Sequence, residues 1–232
     1  MAMATAAPAF AASACGDCFE LDWSQIPSST YYWRTSGTTF TMPLTYRGSG
    51  TPRCSAPTLS ITLSWTGAVY NSQGSGQGHG SLSNMARGQN LPAVRIPYLS
   101  KGLVLNQQGG SVSTLSYSLS GTPVRSLSTS LYDLSRINSQ YGDYVKFNVP
   151  VTVTGSGAGV MDNLSPAASS GTLELPAGTE MTRPAQQGTS ALPGYQNISA
   201  TSDAGISNFT MTYRNDQSGW QFVALGNLVV CT

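Results

Sequence analysis

Apolar and hydroxyl-bearing residues alternate along much of this chain. Leu59, Ile61, Leu63 and Trp65 alternate with Thr58, Ser60, Thr62, Ser64 and Thr66. Phe40, Met42, Leu44 and Tyr46 alternate with Thr39, Thr41, Pro43 and Thr45, and Val145 to Val153 alternates over nine residues with Lys146, Asn148, Pro150 and Thr152. Shorter stretches of the same kind stand at Val94-Ile96-Tyr98, Leu115-Tyr117-Leu119, Phe209-Met211-Tyr213 and Trp220-Phe222-Ala224. Period two puts one set of side chains on each face of a strand, so each segment predicts a strand with one buried and one solvated face. The fold class this predicts is all-β, an antiparallel β-sandwich of immunoglobulin-like or jelly-roll-like type with little helix. Pro43, Pro97 and Pro150 stand on the outward faces of three strands and predict edges, bulges or interrupted strands there, since proline has no N–H to give to a ladder. In 124–141 the residues Val124, Leu127, Leu131 and Leu134 fit helical spacing as well. The Ser/Thr run 126–130 lowers helix propensity and favours a strand with a short helix as the alternative.

Composition narrows the function. Of 232 residues, 33 are Ser, 24 Thr and 25 Gly, and only 9% are charged, for a net charge of +1. Eleven cations spread against ten acids leave no basic patch for a nucleic-acid backbone. One histidine excludes a two-histidine metal site within the chain. No apolar run is long enough for a membrane-spanning helix. These features describe a neutral, hydroxyl-rich β protein with no nucleic-acid partner and no membrane span.

Residues 1–14 are small, apolar and uncharged, and Ala9-Phe10-Ala11 fits a small-x-small cleavage pattern, so the segment reads as the remnant of an export signal. A retained N-terminal arm is the alternative. Residues 15–232 read as a single extended β-sandwich unit, with a soft boundary near 155–171 where Gly, Ser and Ala accumulate. Residues 71–81 read as a flexible loop, and 177–194 as a second soft stretch. Four cysteines, Cys15, Cys18, Cys54 and Cys231, together with an export-like start, predict two disulfides, with three connectivities open. Localisation outside the cell, through the periplasm, follows from the same features.

Candidate chemistry is sparse, and the chain reads as not an enzyme, with no catalytic, cofactor-binding or metal residues. There is no phosphate-binding glycine loop, no nucleophile elbow and no zinc-protease helix motif. His79 sits in Gln-Gly-His-Gly and reads as an exposed loop residue. Asp17, Glu20 and Asp22 read as a solvated turn rather than a Ca²⁺ site. Cys15-Gly16-Asp17-Cys18 has redox spacing but no following βαβ pattern. Tyr31, Tyr32 and Trp33 form a candidate glycan platform, with core packing as the bland alternative.

Arg136-Ile137-Asn138-Ser139-Gln140-Tyr141-Gly142-Asp143-Tyr144, followed by the alternating run Val145–Val153, resembles the closing turn and strand of chaperone–usher pilin domains. The resemblance implies an immunoglobulin-like sandwich lacking one strand, filled first by a periplasmic chaperone and then by a neighbour's extension. In that family the strand ends the domain, whereas here about 80 residues follow. The function expected on this reading is an exported structural or adhesive subunit of a cell-surface filament, assembling with itself by β-strand donation. The alternatives are a secreted carbohydrate-binding module with a surface glycan as partner, and a virus or phage capsid or decoration protein.

Overall fold

Alternation at period two folds this chain into two stacked antiparallel sheets. The computed structural model describes residues 15–27, 32–70, 78–83, 101–132, 134, 136–137, 141–156, 172–182, 195–216 and 218–232. The N-terminal segment 1–14, Tyr31, the strand expected at 94–98 and most of the soft stretches lie outside these residues.

The smaller sheet runs β13 (Glu180–Met181), β10 (Tyr141–Phe147), β15 (Asn208–Asn215), β7 (Val112–Ser120), β4 (Thr58–Thr66), β2 (Thr38–Met42), with β9 (Arg136–Ile137) beside β10. The larger sheet runs β12 (Thr172–Leu175), β11 (Val151–Ser156), β14 (Tyr195–Thr201), β8 (Ser126–Tyr132), β16 (Trp220–Leu225), β6 (Gly102–Gln108), β5 (Leu82–Ser83). β17 (Leu228–Cys231) shares one side of β8 with β16, β1 (Cys18–Leu21) adds to β17, and β3 (Thr45–Tyr46) adds to β1. One 3-10 turn, Trp23–Gln25, follows β1 and is capped by the Asp22 carboxylate accepting from Ser24 N. The ambiguous stretch is a strand, β8, because Leu127, Thr129 and Leu131 all point inward at period two. β11 and β12, on either side of residues 157–171, pair with each other in one sheet.

The core lies between the sheets. Leu59, Ile61 and Leu63 of β4, Leu115 and Tyr117 of β7 and Phe209, Met211 and Tyr213 of β15 come from the smaller sheet. Leu127 and Leu131 of β8, Ile198 of β14, Val223 and Leu225 of β16 and Leu228 and Val230 of β17 come from the larger one. Each such aliphatic side chain contributes about 1.5–3 kcal/mol by leaving water. The Phe147 and Phe209 rings stack at 5.4 Å, which ties β10 to β15.

Four expectations are corrected. The run Val145–Val153 is not one strand. It breaks after Phe147, and its halves enter different sheets as β10 and β11. Pro150 stands just before β11 and interrupts the run, as its missing N–H implies. The run Phe40–Tyr46 is the second: it too is not one strand and breaks at Pro43 into β2 and β3. The third correction concerns the 71–81 loop, whose end is buried. Gly80 N donates to Val104 O at 2.7 Å, and Trp33 N donates to Gly80 O at 3.2 Å. Gly80 has φ +70°, and a Cβ there would lie 2.7 Å from Trp33 Cβ and 2.9 Å from its carbonyl oxygen. Gly80→Ala is therefore expected to cost about 2 kcal/mol, by left-handed strain and overpacking, read as a lower denaturant midpoint with unchanged slope. The fourth is β16, where the side turned to the core carries Val223 and Leu225, so Trp220, Phe222 and Ala224 face outward.

Candidate functional site

The outward face of the larger sheet is set by the parity of its central strand. With Leu127, Thr129 and Leu131 inside, Ser126, Ser128, Ser130 and Tyr132 point out. Register extends the face sideways. Ser130 stands opposite Asn197 of β14, Ser128 opposite Ser199 and, on the other side, Val229 of β17. Val229 in turn stands opposite Glu20 of β1. Of these, Glu20, Ser128, Ser130, Asn197 and Val229, with Thr129, Tyr132 and Asn227, line a shallow trough of about 290 Å³.

The trough is almost wholly neutral in its donors and acceptors. Ser130 Oγ donates to Asn197 Oδ1 at 2.8 Å. Asn227, in the turn between β16 and β17, holds the acidic side: its Nδ2 donates to Glu20 Oε1 at 3.0 Å and to Asp22 Oδ1 at 3.3 Å. Its Oδ1 accepts from Trp23 N at 3.1 Å, and Trp23 Nε1 donates to Gly226 O at 2.7 Å. The buried Trp23 indole thus fixes the turn that carries Asn227. Arg47 Nε lies 3.4 Å from Glu20 Oε2. Partial burial pushes the Asp22 carboxyl up, but hydrogen bonds from Ser24 and Asn227 outweigh it and hold the group below its usual range.

The same face turns aromatic along β16. Ala224 pairs with Tyr132, Phe222 follows two residues away, and Trp220 two further. Tyr132 and Phe222 pack over Val104 and Ala224 as a small apolar cluster outside the main core. Trp220 is 46% exposed, the one large hydrophobic side chain exposed among the described residues, and the Tyr70 ring meets it edge-on at 5.4 Å. From Ala224 to Trp220 the strand spans about 13 Å. On the outer face of the smaller sheet Arg214 forks onto Glu180 at 2.6 and 2.7 Å and lies over the Tyr144 ring at 3.9 Å. The guanidinium holds the Glu180 carboxyl below its usual range.

The residues singled out from sequence fall elsewhere. Trp33 is 1% exposed and packs edge-on against Phe40 at 4.9 Å, so it is a core residue and no platform. Tyr32 lies beneath the Arg34 guanidinium at 5.4 Å, away from the trough, and Tyr31 is outside the described residues. Cys18 is bridged to Cys231, and Cys15 and Cys54 are thiols. Asp17 is buried rather than solvated. Burial pushes its carboxyl up, but the N–H groups of Cys54 and Arg53 and the Arg53 guanidinium hold it below its usual range. Among the described residues no group of His, Cys, Asp and Glu is placed to hold a metal.

His79 is likewise buried, at 1% exposure, with its ring 4.8 Å from Trp65. Asn106 N donates to His79 Nδ1 at 3.1 Å, and His79 Nε2 lies 3.4 Å from Ser113 Oγ. Ser113 Oγ gives its proton to Gln107 Oε1, whose amide donates to Ser111 O at 2.9 Å and Tyr213 O at 3.3 Å. With the proton on Nε2 the ring accepts from Asn106 N and donates to Ser113; with it on Nδ1 the ring donates to Asn106 O, also at 3.1 Å. The Ser113 proton goes to Gln107, and the set is a chain of hydrogen bonds among buried residues.

Sequence reasoning missed Trp220, Tyr132, Asn197 and Asn227. The Ser/Thr run of β8 was visible, but which of its parities faced solvent was not.

Comparison with known proteins gives little beyond architecture. No family model matches the chain, and no curated protein matches it. Among solved structures, the chain is similar to the enzymatically active domain of bacteriophage CBA120 tailspike protein 4. There the identity is 13% and the TM-score 0.28, over 74% of this chain and 19% of that one. It is similar to TmCBM61, solved with β-1,4-galactotriose, at 7% identity and TM-score 0.28, over 75% of this chain and 88% of that one. It is similar to a family 11 carbohydrate-binding module from Clostridium thermocellum at 11% identity and TM-score 0.26, over 93% and 96%. The chain thus spans about a fifth of the tailspike domain's length. At such scores the reading of the site rests on this chain's own residues. No helix among the described residues is long and apolar enough to cross a membrane, and the Cys18–Cys231 bridge fits an oxidising compartment.

Proposed function

We propose that the outer face of the larger sheet binds a neutral glycan and that this chain is a secreted carbohydrate-binding module. One observation carries the reading: a trough of hydroxyls, amides and a carboxylate shares a sheet face with the exposed Trp220. A sugar ring offers adjacent hydroxyls that both donate and accept, and amides and carboxylates answer them two at a time. Its C–H face is apolar and lies on an aromatic plane. Two carboxylates, Glu20 and Asp22, stand on the Asn227 side of the trough against one paired guanidinium, Arg47 on Glu20, so an acidic sugar meets net repulsion. The sheet positions these groups on rigid strands, which limits the entropy lost on binding.

The test is a glycan microarray with neutral polysaccharides (galactan, mixed-linked glucan, mannan) and an acidic one, followed by calorimetry on any hit. The full chain is expected to retain a neutral glycan and not the acidic one. Trp220→Ala and Asn197→Ala are each expected to weaken binding about tenfold, about 1.4 kcal/mol, with the thermal midpoint unchanged. Both are surface residues, so the fold should tolerate them. No glycan retained, or wild-type affinity in both variants, would refute the site. Polymerisation of the chain without glycan binding would instead favour the filament subunit that assembles by strand donation.

A further inference from the structure

We infer that Cys15 and Cys54 form a second disulfide, which closes a double clasp around residues 231–232 together with Cys18–Cys231. Backbone hydrogen bonds bring the two cysteines together. Gly16 N donates to Thr232 O at 2.9 Å, and Thr232 N donates to Asp17 O at 2.9 Å. Residues 15–17 are therefore laid along Thr232 as a continuation of the β1–β17 ladder. On the other side, Cys54 N donates to the Asp17 carboxylate at 3.0 Å, as does Arg53 N. That carboxylate is buried and anchors the 53–54 turn against the same segment. Cys54 Sγ reaches 3.2 Å from Thr232 Oγ1 and 3.6 Å from Asp17 Oδ2, and its side chain is hydrogen-bonded with that of Cys15. With Cys18 and Cys231 already joined, the three connectivities open from the sequence reduce to this one.

Both thiols are partly exposed, so an oxidant reaches them. Burial, Cys15 and the nearby Asp17 charge hold the Cys54 thiol up, which slows its spontaneous oxidation. The step is an exchange with a disulfide-bearing donor, such as oxidised glutathione. One protein thiolate attacks the donor disulfide, forms a mixed disulfide and releases one donor thiol. The second protein thiol displaces the other donor thiol. The protein loses two hydrogens, and the donor gains two electrons and two protons as a pair of thiols. The compartment that allows Cys18–Cys231 supplies the same oxidant.

The full chain is to be incubated with a glutathione redox buffer, unfolded without reductant in the presence of iodoacetamide, and digested for mass spectrometry. The expected result is no alkylated cysteine, an intact mass lower than the reduced chain by four hydrogens, and linked peptides Cys15–Cys54 and Cys18–Cys231. Cys54→Ser is expected to leave Cys15 as the single alkylated residue. Alkylation of both Cys15 and Cys54 in the wild type, with Cys18–Cys231 intact, would overturn the inference. A Cys15–Cys18 link would do the same. The readout is covalent and does not depend on glycan binding.

Discussion

Replacing Cys18 and Cys231 together by serine is expected to lower the stability of the fold by about 5 kcal/mol. The bridge joins residues 213 positions apart, so it closes nearly the whole chain into one loop. The chain-entropy account of a cross-link gives its largest values for loops of this size, because the open chain loses most freedom. The local ladder does not replace it. β1 is four residues long, pairs with β17 over those four, and carries only the two-residue β3 on its other side. The bridge sits at the end of that ladder, where Cys18 stands opposite Cys231. Denaturant unfolding with and without reductant, and of the double serine variant, measures the loss. Equal midpoints would show that the ladder and the buried Trp23 hold β1 unaided. Glu20 on β1 and Val229 on β17 lie two residues further along the same ladder, so the trough proposed as a glycan site should come apart before the core does.

The second large effect is a loss of stability by about 3 kcal/mol as pH falls from 6.5 to 4, centred on His79. Burial pushes this imidazole down to about 4 in the folded chain, against 6.5 in the open one. Between those values the unfolded chain takes a proton that the folded chain refuses, so acid favours unfolding. Above pH 6.5 both states are neutral and the stability is whole. Below 4 both are charged and the histidine adds no further slope. The physical cause is burial, which strips the imidazolium of water; the Asn106 backbone, whose carbonyl lies 3.1 Å from Nδ1, pulls the other way and is outweighed. Midpoints measured at intervals between pH 7 and 4 should fall steeply, and His79→Gln should flatten that interval while lowering stability at pH 7. A flat profile in the wild type would show that the imidazole is not held neutral. Asp17, Asp22 and Glu180, whose carboxyls are held below their usual range, act at lower pH and leave this window to the histidine.

The strands themselves were legible because period two is local. Leu59-Ile61-Leu63, Leu115-Tyr117-Leu119 and Phe209-Met211-Tyr213 turn the predicted faces to the core. β16 shows where that reasoning fails. Trp220, Phe222 and Ala224 are the bulkier set and were assigned inward, yet Val223 and Leu225 take the core. The pairing of Ala224 with Tyr132 fixes the parity, and that contact joins residues far apart in sequence. A strand hydrophobic on both faces can sit either way up, and only its neighbours decide. The same holds for His79, whose flanking glycines suggested a free loop. Gly80 instead lets the backbone pass against Trp33, and the histidine follows it inside.

By itself the sequence determined the fold class and the hydroxyl-rich outer faces, and it predicted disulfides without their pairing. All of these follow from composition and from the geometry of one extended backbone. The tertiary structure decided which cysteines meet, which face of β16 is wet, and that Glu20, Ser130, Asn197 and Asn227 stand around one trough. Those facts depend on strand order and register across the sheet, where residues 207 positions apart hydrogen-bond, as Glu20 and Asn227 do. Register is set by the sum of core packing on the hidden face. The groups on the open face are carried into place by it without leaving a mark in their own local sequence.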